Sequence, residues 1–324
     1  MSLLFITVAL AAADWDREAA TRYLDTRQKA WAEWPTAKAA GGSCMSCHTG
    51  MTYLLARPLL RDPSSQPTPY ETALTDGLRA RVATMQEPTP KNGVESVMAA
   101  LFLSTEPAFD RMWKLQIQDG PKAGSWPWFN LDLDPYEMPE SSYFGASLAA
   151  MAVAKMPAEY RARPDIRPRV KALTAYLRRE AAMQPLHNRL TALWASTKLP
   201  EAMSAPDRKA LLEALWKARQ PDGGWTLEAM GPWSAHKAAP PQPAGSHNYA
   251  TAWPAMVLTE TGSKDKRLKK ALDWLRAHQE RETGAWPAPS MNKIYKEGSM
   301  MTQFLGDAAT GYAVIALTHS KTTR

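Results

Sequence analysis

The chain has 324 residues, enough for one large or two ordinary domains with ample core. With 45% hydrophobic and 22% charged residues it has the composition of an ordinary soluble globular protein, which excludes a disordered chain. Its 39 basic and 32 acidic residues give a formal charge of +7, suited to an acidic partner protein or an anionic membrane surface. Nucleic acid is not expected as a partner, because the basic residues are interspersed with acidic ones, and the run Lys264–Lys270 (KDKRLKK) reads as a solvated helix face.

Met1–Ala13 is an apolar run that ends in Ala11-Ala12-Ala13 before Asp14. It is too short to span a bilayer and has the small-residue pattern of a signal-peptidase site, although a basic leader is missing. The expected location is therefore periplasmic or otherwise exported.

From Trp15 to about Lys38 the residues favour helix, with Trp15, Ala19, Tyr23, Ala30, Trp31 and Trp34 available for burial. Gly41-Gly42 breaks it, and Cys44-Met45-Ser46-Cys47-His48 follows, holding both cysteines of the chain. Cys-x-x-Cys-His is the attachment signature of c-type haem: two thiols add across the vinyl groups, and the adjacent imidazole becomes the proximal iron ligand. A zinc half-site would need further ligands, and no other cysteine exists. A thioredoxin-like dithiol would need a strand before the motif, where the residues read as helical. One covalent haem c on Cys44, Cys47 and His48 is the expectation, and export agrees with it.

Met51–Leu60 (MTYLLARPLL) is an apolar wall suited to a haem face, 63–69 is a linker, and Tyr70–Met85 is an amphipathic helix ended by Pro88 and Pro90. Beyond lies a repeat. Trp113, Gln118 and Gly124-Ser125-Trp126 form one instance, Trp216, Gln220 and Gly223-Gly224-Trp225 a second, and Trp274, Gln279 and Gly284-Ala285-Trp286 a third. The preceding helices are amphipathic, as in Leu268, Ala271, Leu272 and Leu275, and 167–179 repeats the pattern without its Trp turn. Ser142–Ala154, Tyr249–Leu258 and Ala308–Leu317 are apolar nearly all round and rich in small residues, as helices buried on most sides are. Alternation of the two kinds predicts an all-α chain of helical hairpins, one helix outside and one inside, without strands.

These turns resemble the QW motifs of the squalene–hopene cyclase and prenyltransferase superfamily, and Tyr249-Ala250-Thr251 and Asp307–Tyr312 resemble the starts of its inner helices. The resemblance covers roughly 93–319 and implies an (α/α) toroid. Inner segments near Met51, Glu95, Ser142, His187, Tyr249 and Ala308 give six hairpins if the haem segment supplies the first. The expected division is a haem-attachment segment and first hairpin at 14–92, continuous with a toroid at 93–324. The alternative is a small cytochrome domain from Asp14 to Met85 followed by five hairpins. Cyclases of this family protonate an alkene from an Asp-x-Asp-Asp motif, whereas Asp132-Leu133-Asp134-Pro135 lacks the last acid and reads as a turn. Cyclase activity is not expected.

In such a toroid the inner-helix N-termini open onto the cavity, which makes His247 or His187 the candidate distal iron ligand. His236, His278 and His319 read as loop or helix-end residues. Met300-Met301 is a candidate axial pair, and a thioether ligand would favour electron transfer. Glu137 and Glu95 are candidate acid–base groups beside the haem, with Tyr143, Tyr249 and Asp307 also near the cavity, the last as a helix cap. Trp126, Trp128, Trp225, Trp253 and Trp286 could supply an aromatic wall. The expected function is redox chemistry, with electron transfer to or from a protein or small-molecule partner first. A haem-dependent oxidoreductase acting on a small apolar substrate, and a haem-based gas or ligand sensor, are the alternatives.

Overall fold

Residues 14–320 are described by the computed structural model, so the expected signal segment lies outside the described residues. In chain order the helices are α1 (Arg17–Glu33), α2 (Gly50–Ala56), α3 (Pro69–Val82), α4 (Pro90–Leu103), α5 (Glu106–Lys114), α6 (Ser141–Lys155), α7 (Ala158–Arg161), α8 (Arg167–Glu180), α9 (Leu186–Ser196), α10 (Ala205–Ala218), α11 (Asn248–Glu260), α12 (Arg267–Ala277) and α13 (Phe304–His319). Two-residue strands β1 (Lys38–Ala39) and β2 (Gly42–Ser43) pair antiparallel, a hairpin that the sequence reading did not foresee. None of the described helices is long and apolar enough to cross a membrane.

Local chemistry sets the helix ends. Asp16 caps α1 by accepting from the Ala19 N–H at 2.8 Å, and α1 stops at Glu33 because Trp34, extended before Pro35, cannot continue it. The expected helix to Lys38 is therefore five residues too long. Thr68 and Glu71 form a capping box on α3. Pro90 does not end α3 but opens α4 at its first position, where its missing N–H costs nothing and Thr89 caps.

Leaving aside the single-turn α7, outer helices α1, α3, α5, α8, α10 and α12 alternate with inner helices α2, α4, α6, α9, α11 and α13, making six hairpins. Each outer helix packs on the inner helix of the hairpin before it, and α1 closes the ring against α13. The fold is an (α/α) toroid. Its inner helices are buried on nearly every side, α13 from Leu305 to Leu317 without a break. Small residues allow the close approach: a Cβ on Gly311 would lie 2.7 Å from Thr52 of α2.

The Gly–Trp turns are clasps between neighbouring outer helices. Trp126, Trp225 and Trp286 donate their indole N–H to the carbonyls of Met112, Leu215 and Leu275 at 2.6, 2.8 and 2.8 Å, tying each turn to the end of the helix before it. Gly284 has φ +81° and Gly124 φ +95°, and each lies so close to the next outer helix that a Cβ would come within 2.2 Å of Ala19 or Ala172. Gln279 spans the last clasp. It accepts from the Asp16 N–H at 2.6 Å and donates to the carbonyls of Asp16 and Gly284 at 2.8 and 3.1 Å, so the sixth hairpin grips the first. In the first clasp this role belongs to Gln116, which reaches Gly124 and Arg169, and not to the Gln118 that the spacing suggested.

The toroid's centre is filled. Phe144, His187, Tyr249, Trp253 and Tyr312 pack against one another from four inner helices, with Trp253 and Tyr312 centroids 4.6 Å apart. Tyr136, hydrogen-bonded to Tyr249 and Tyr312 of this plug, borders a cavity.

Candidate functional site

Cys44–His48 lies in the loop between α1 and α2, inside the first hairpin. The β hairpin delivers it, with the Cys44 N–H donating to the Ala37 carbonyl at 2.7 Å. Trp31 holds the Cys44 carbonyl through its indole N–H at 2.9 Å. The Ser46 hydroxyl accepts from the N–H groups of Thr49 and Gly50, satisfying the first turn of α2. Glu95 receives the Met45 N–H at 2.9 Å on one oxygen and the Arg81 guanidinium at 2.9 and 3.1 Å on the other. Arg81 also donates to the Ala40 carbonyl. Glu95 is thus a buckle behind the loop with both oxygens occupied, and it is not among the residues that line the cavity.

In front of the loop is a cavity of about 430 Å³ whose walls include Cys44, Cys47 and His48, with Trp128, Tyr136 and Glu137 from the 115–140 loop and Met291, Tyr295, Met301 and Phe304 from 278–304. Both cysteines are free thiols. Burial raises both above the ordinary thiol range, Cys47 strongly, with Glu137 and Glu95 adding to the effect there. No group of three or more His, Cys, Asp or Glu side chains able to hold a metal ion directly exists among the described residues.

Burial, reinforced by the Arg27 charge, lowers His48 to about 3, so its imidazole is neutral. Its Nδ1 lies 2.9 Å from the Thr49 hydroxyl, and Nε2 makes no hydrogen bond among the described residues. Phe304 stacks on the ring at 3.6 Å and 18°, and Trp31 meets it edge-on at 5.3 Å and 82°. Two free thiols and a neutral imidazole with an unengaged nitrogen, all on one largely apolar cavity, fit the donor set that a covalent haem requires.

The structure separates the other candidates. His187 does not line the cavity: it is fully buried in the aromatic plug, Nε2 is 2.8 Å from the Tyr249 hydroxyl and Nδ1 is 3.0 Å from Asn188. His247 is also absent from the walls. It precedes α11 with its N–H on the Trp225 carbonyl, and both ring nitrogens lack partners among the described residues. Neither histidine is among the residues that line the cavity, so neither distal-ligand assignment is brought together with His48. Met301 does line the cavity, as does Met291, which the sequence reading did not single out. Glu137 is there too, half-buried, with burial raising its carboxyl above the ordinary range. Asp134 ties loops together, accepting from the Ser234 N–H and lying 3.0 Å from His236, in keeping with a turn. Tyr143 bonds the Leu177 carbonyl between helices. His278 stacks on Trp274 at 3.7 Å, and His319 pairs with Glu260, both at helix ends. Of the five tryptophans, only Trp128 faces the cavity; Trp253 is in the plug, and the other three are clasps.

Asp307 is not a helix cap. It sits one turn into α13, and its carboxylate accepts from Arg27 at 2.6 and 3.0 Å, Tyr23 at 2.9 Å and Thr49 at 2.7 Å. Tyr23, Arg27 and Trp31 fall at i, i+4 and i+8 on one face of α1; the sequence marks Tyr23 and Trp31 for burial, and Arg27 between them gives no signal of its own.

The fold is similar to that of an unsaturated glucuronyl hydrolase variant with dGlcA-Glc-Rha-Glc, at 13% identity and a TM-score of 0.53 over 93% of this chain and 95% of that one. That likeness shows the toroid alone. No family model and no curated protein matches the chain.

Proposed function

We propose that the chain is an exported c-type haem protein built on an α/α toroid and acting in redox chemistry, with electron transfer as its first role. The observation that carries this reading is Cys44, Cys47 and His48 together on one cavity, the imidazole neutral and its Nε2 unengaged. Cys44 and Cys47 would hold the haem by thioether bonds and His48 would ligate its iron; when bound, the group supplies a one-electron couple. Met301 and Met291 are, with Met45 of the motif itself, the methionines of the wall, and a thioether on the iron is the ligand type that favours electron transfer over catalysis. The Gln–Gly–Trp clasps support kinship with cyclase-type toroids, but Asp132-Leu133-Asp134-Pro135 lacks the last acid of the cyclase motif, so cyclase chemistry is not part of the proposal.

A second reading rests on Glu137. Its carboxyl is desolvated and has no hydrogen-bond partner for its side chain among the described residues, the state of a general acid able to deliver a proton to a small bound substrate. The visible spectrum of purified protein tests both. Haem that stays with the polypeptide in acidified organic solvent supports attachment, and extraction of the haem refutes it. A low-spin spectrum indifferent to CO supports electron transfer, whereas a high-spin spectrum that shifts with CO supports the Glu137 reading.

A further inference from the structure

We propose that Asp307, acting through the Thr49 hydroxyl, is the positioning residue that fixes the tautomer and strengthens the donor character of His48; this rests on the haem reading above. The relay runs from His48 Nδ1 to Thr49 Oγ1 at 2.9 Å and on to Asp307 Oδ2 at 2.7 Å. Its direction follows from counting protons. The Asp307 oxygens receive Arg27 Nε and Nη2, the Tyr23 hydroxyl and the Thr49 hydroxyl, so the carboxylate acts only as acceptor. Thr49 has one proton and gives it to Asp307. Its oxygen can then only accept from His48, which places the ring hydrogen on Nδ1 and leaves the Nε2 lone pair for a metal.

The relay is built, not incidental. Thr49 and Asp307 are 3% and 1% exposed. Arg27 is anchored beyond the carboxylate by the Met300 carbonyl at 2.9 Å. Phe304 and Asp307, three residues apart on α13, supply the stacking face and the carboxylate from one side of one helix. A ligating imidazole whose other N–H leads to an anion is a stronger donor, and it stabilises the higher charge state of the iron.

The test compares Thr49→Val, isosteric but unable to relay, with Thr49→Ser, which keeps the hydroxyl. In the haem-loaded full chain the midpoint potential rises in Thr49→Val and Asp307→Asn and returns to the wild-type value in Thr49→Ser. Imidazole ¹⁵N resonances of the full chain report the tautomer whether or not haem is attached: Nδ1–H in wild type and Thr49→Ser, a mixture in Thr49→Val. A haem-free chain with the expected tautomers would sink the haem reading and leave the relay standing. A wild-type His48 carrying its proton on Nε2, or a Thr49→Val potential equal to that of wild type, overturns the relay. Because Thr49→Val retains the Asp307–Arg27–Tyr23 cluster, loss of folding in Asp307→Asn does not remove the test.

Discussion

The clasp between the last and first hairpins makes Gln279→Ala the most informative substitution for the fold. Its side-chain amide makes three hydrogen bonds, two to the Asp16 backbone and one to Gly284, and is 5% exposed. At roughly 1 kcal/mol net for each, the loss is about 3 kcal/mol, reduced where water reaches the freed Asp16 groups. Gln116→Ala removes two bonds, to Gly124 and Arg169, for about 2 kcal/mol. Gln118→Ala removes only local contacts with Gln116 and should stay within about 0.5 kcal/mol. Urea unfolding followed by far-UV circular dichroism ranks the three variants. If Gln279→Ala cost less than about 1 kcal/mol, or Gln118→Ala as much as Gln116→Ala, the account of ring closure by side-chain amides would be wrong.

Three further outcomes follow from particular contacts. Glu95→Ala leaves Arg81 charged and unpaired at 5% exposure and should cost about 3–5 kcal/mol in chemical denaturation, Glu95→Gln markedly less; equal losses would argue against a buried charge pair. His187→Ala and His247→Ala should leave the haem spectrum unchanged, whereas Met301→Leu or Met291→Leu should convert it to high spin if that residue is the sixth ligand; a spectral change in either histidine variant contradicts the cavity boundaries. The hydrogen bond that His319 donates to the Glu260 carboxylate raises the folded His319 above its ordinary value, so its contribution is fully present below about pH 6.5 and fades as pH rises through the raised value. Glu260→Gln should flatten that slope in stability measured from pH 5 to 9, and an unaltered slope would assign it to other groups.

The architecture was legible because it is written in period and punctuation. Gly–x–Trp recurs where an outer helix ends, and wholly apolar segments mark the inner ring, so six hairpins could be counted without any contact. Errors arose where the outcome depends on three-dimensional placement. Gln118 and Gln116 are both polar residues after a tryptophan, and only the position of Arg169 on the neighbouring helix decides which one clasps. His187 and His247 stand at inner-helix starts, which suggests a cavity-facing place, but His187 is packed into the aromatic centre against Phe144 and Trp253, and His247 is held at the Trp225 turn. The Cys44–His48 motif needed no such help, since its residues are contiguous. Its support could not be read: Thr49 and Asp307 are 258 residues apart, and nothing local distinguishes that aspartate from a cap.

The Cys44–His48 loop belongs to the first hairpin of the ring, yet the ring's last helix supplies much of its surroundings. Helix α13 closes the toroid against α1 and α2, accepts the Trp286 N–H on Thr310 at 3.0 Å as part of the final clasp, and presents Phe304 and Asp307 to His48. Ring closure and the placing of the His48 imidazole are therefore one packing event. A small cytochrome joined by a linker to five hairpins would have to orient its imidazole from within its own segment. Here the imidazole, Thr49 and the stacking face come into register only when the chain's two ends meet, because Phe304 and Asp307 arrive with the sixth hairpin.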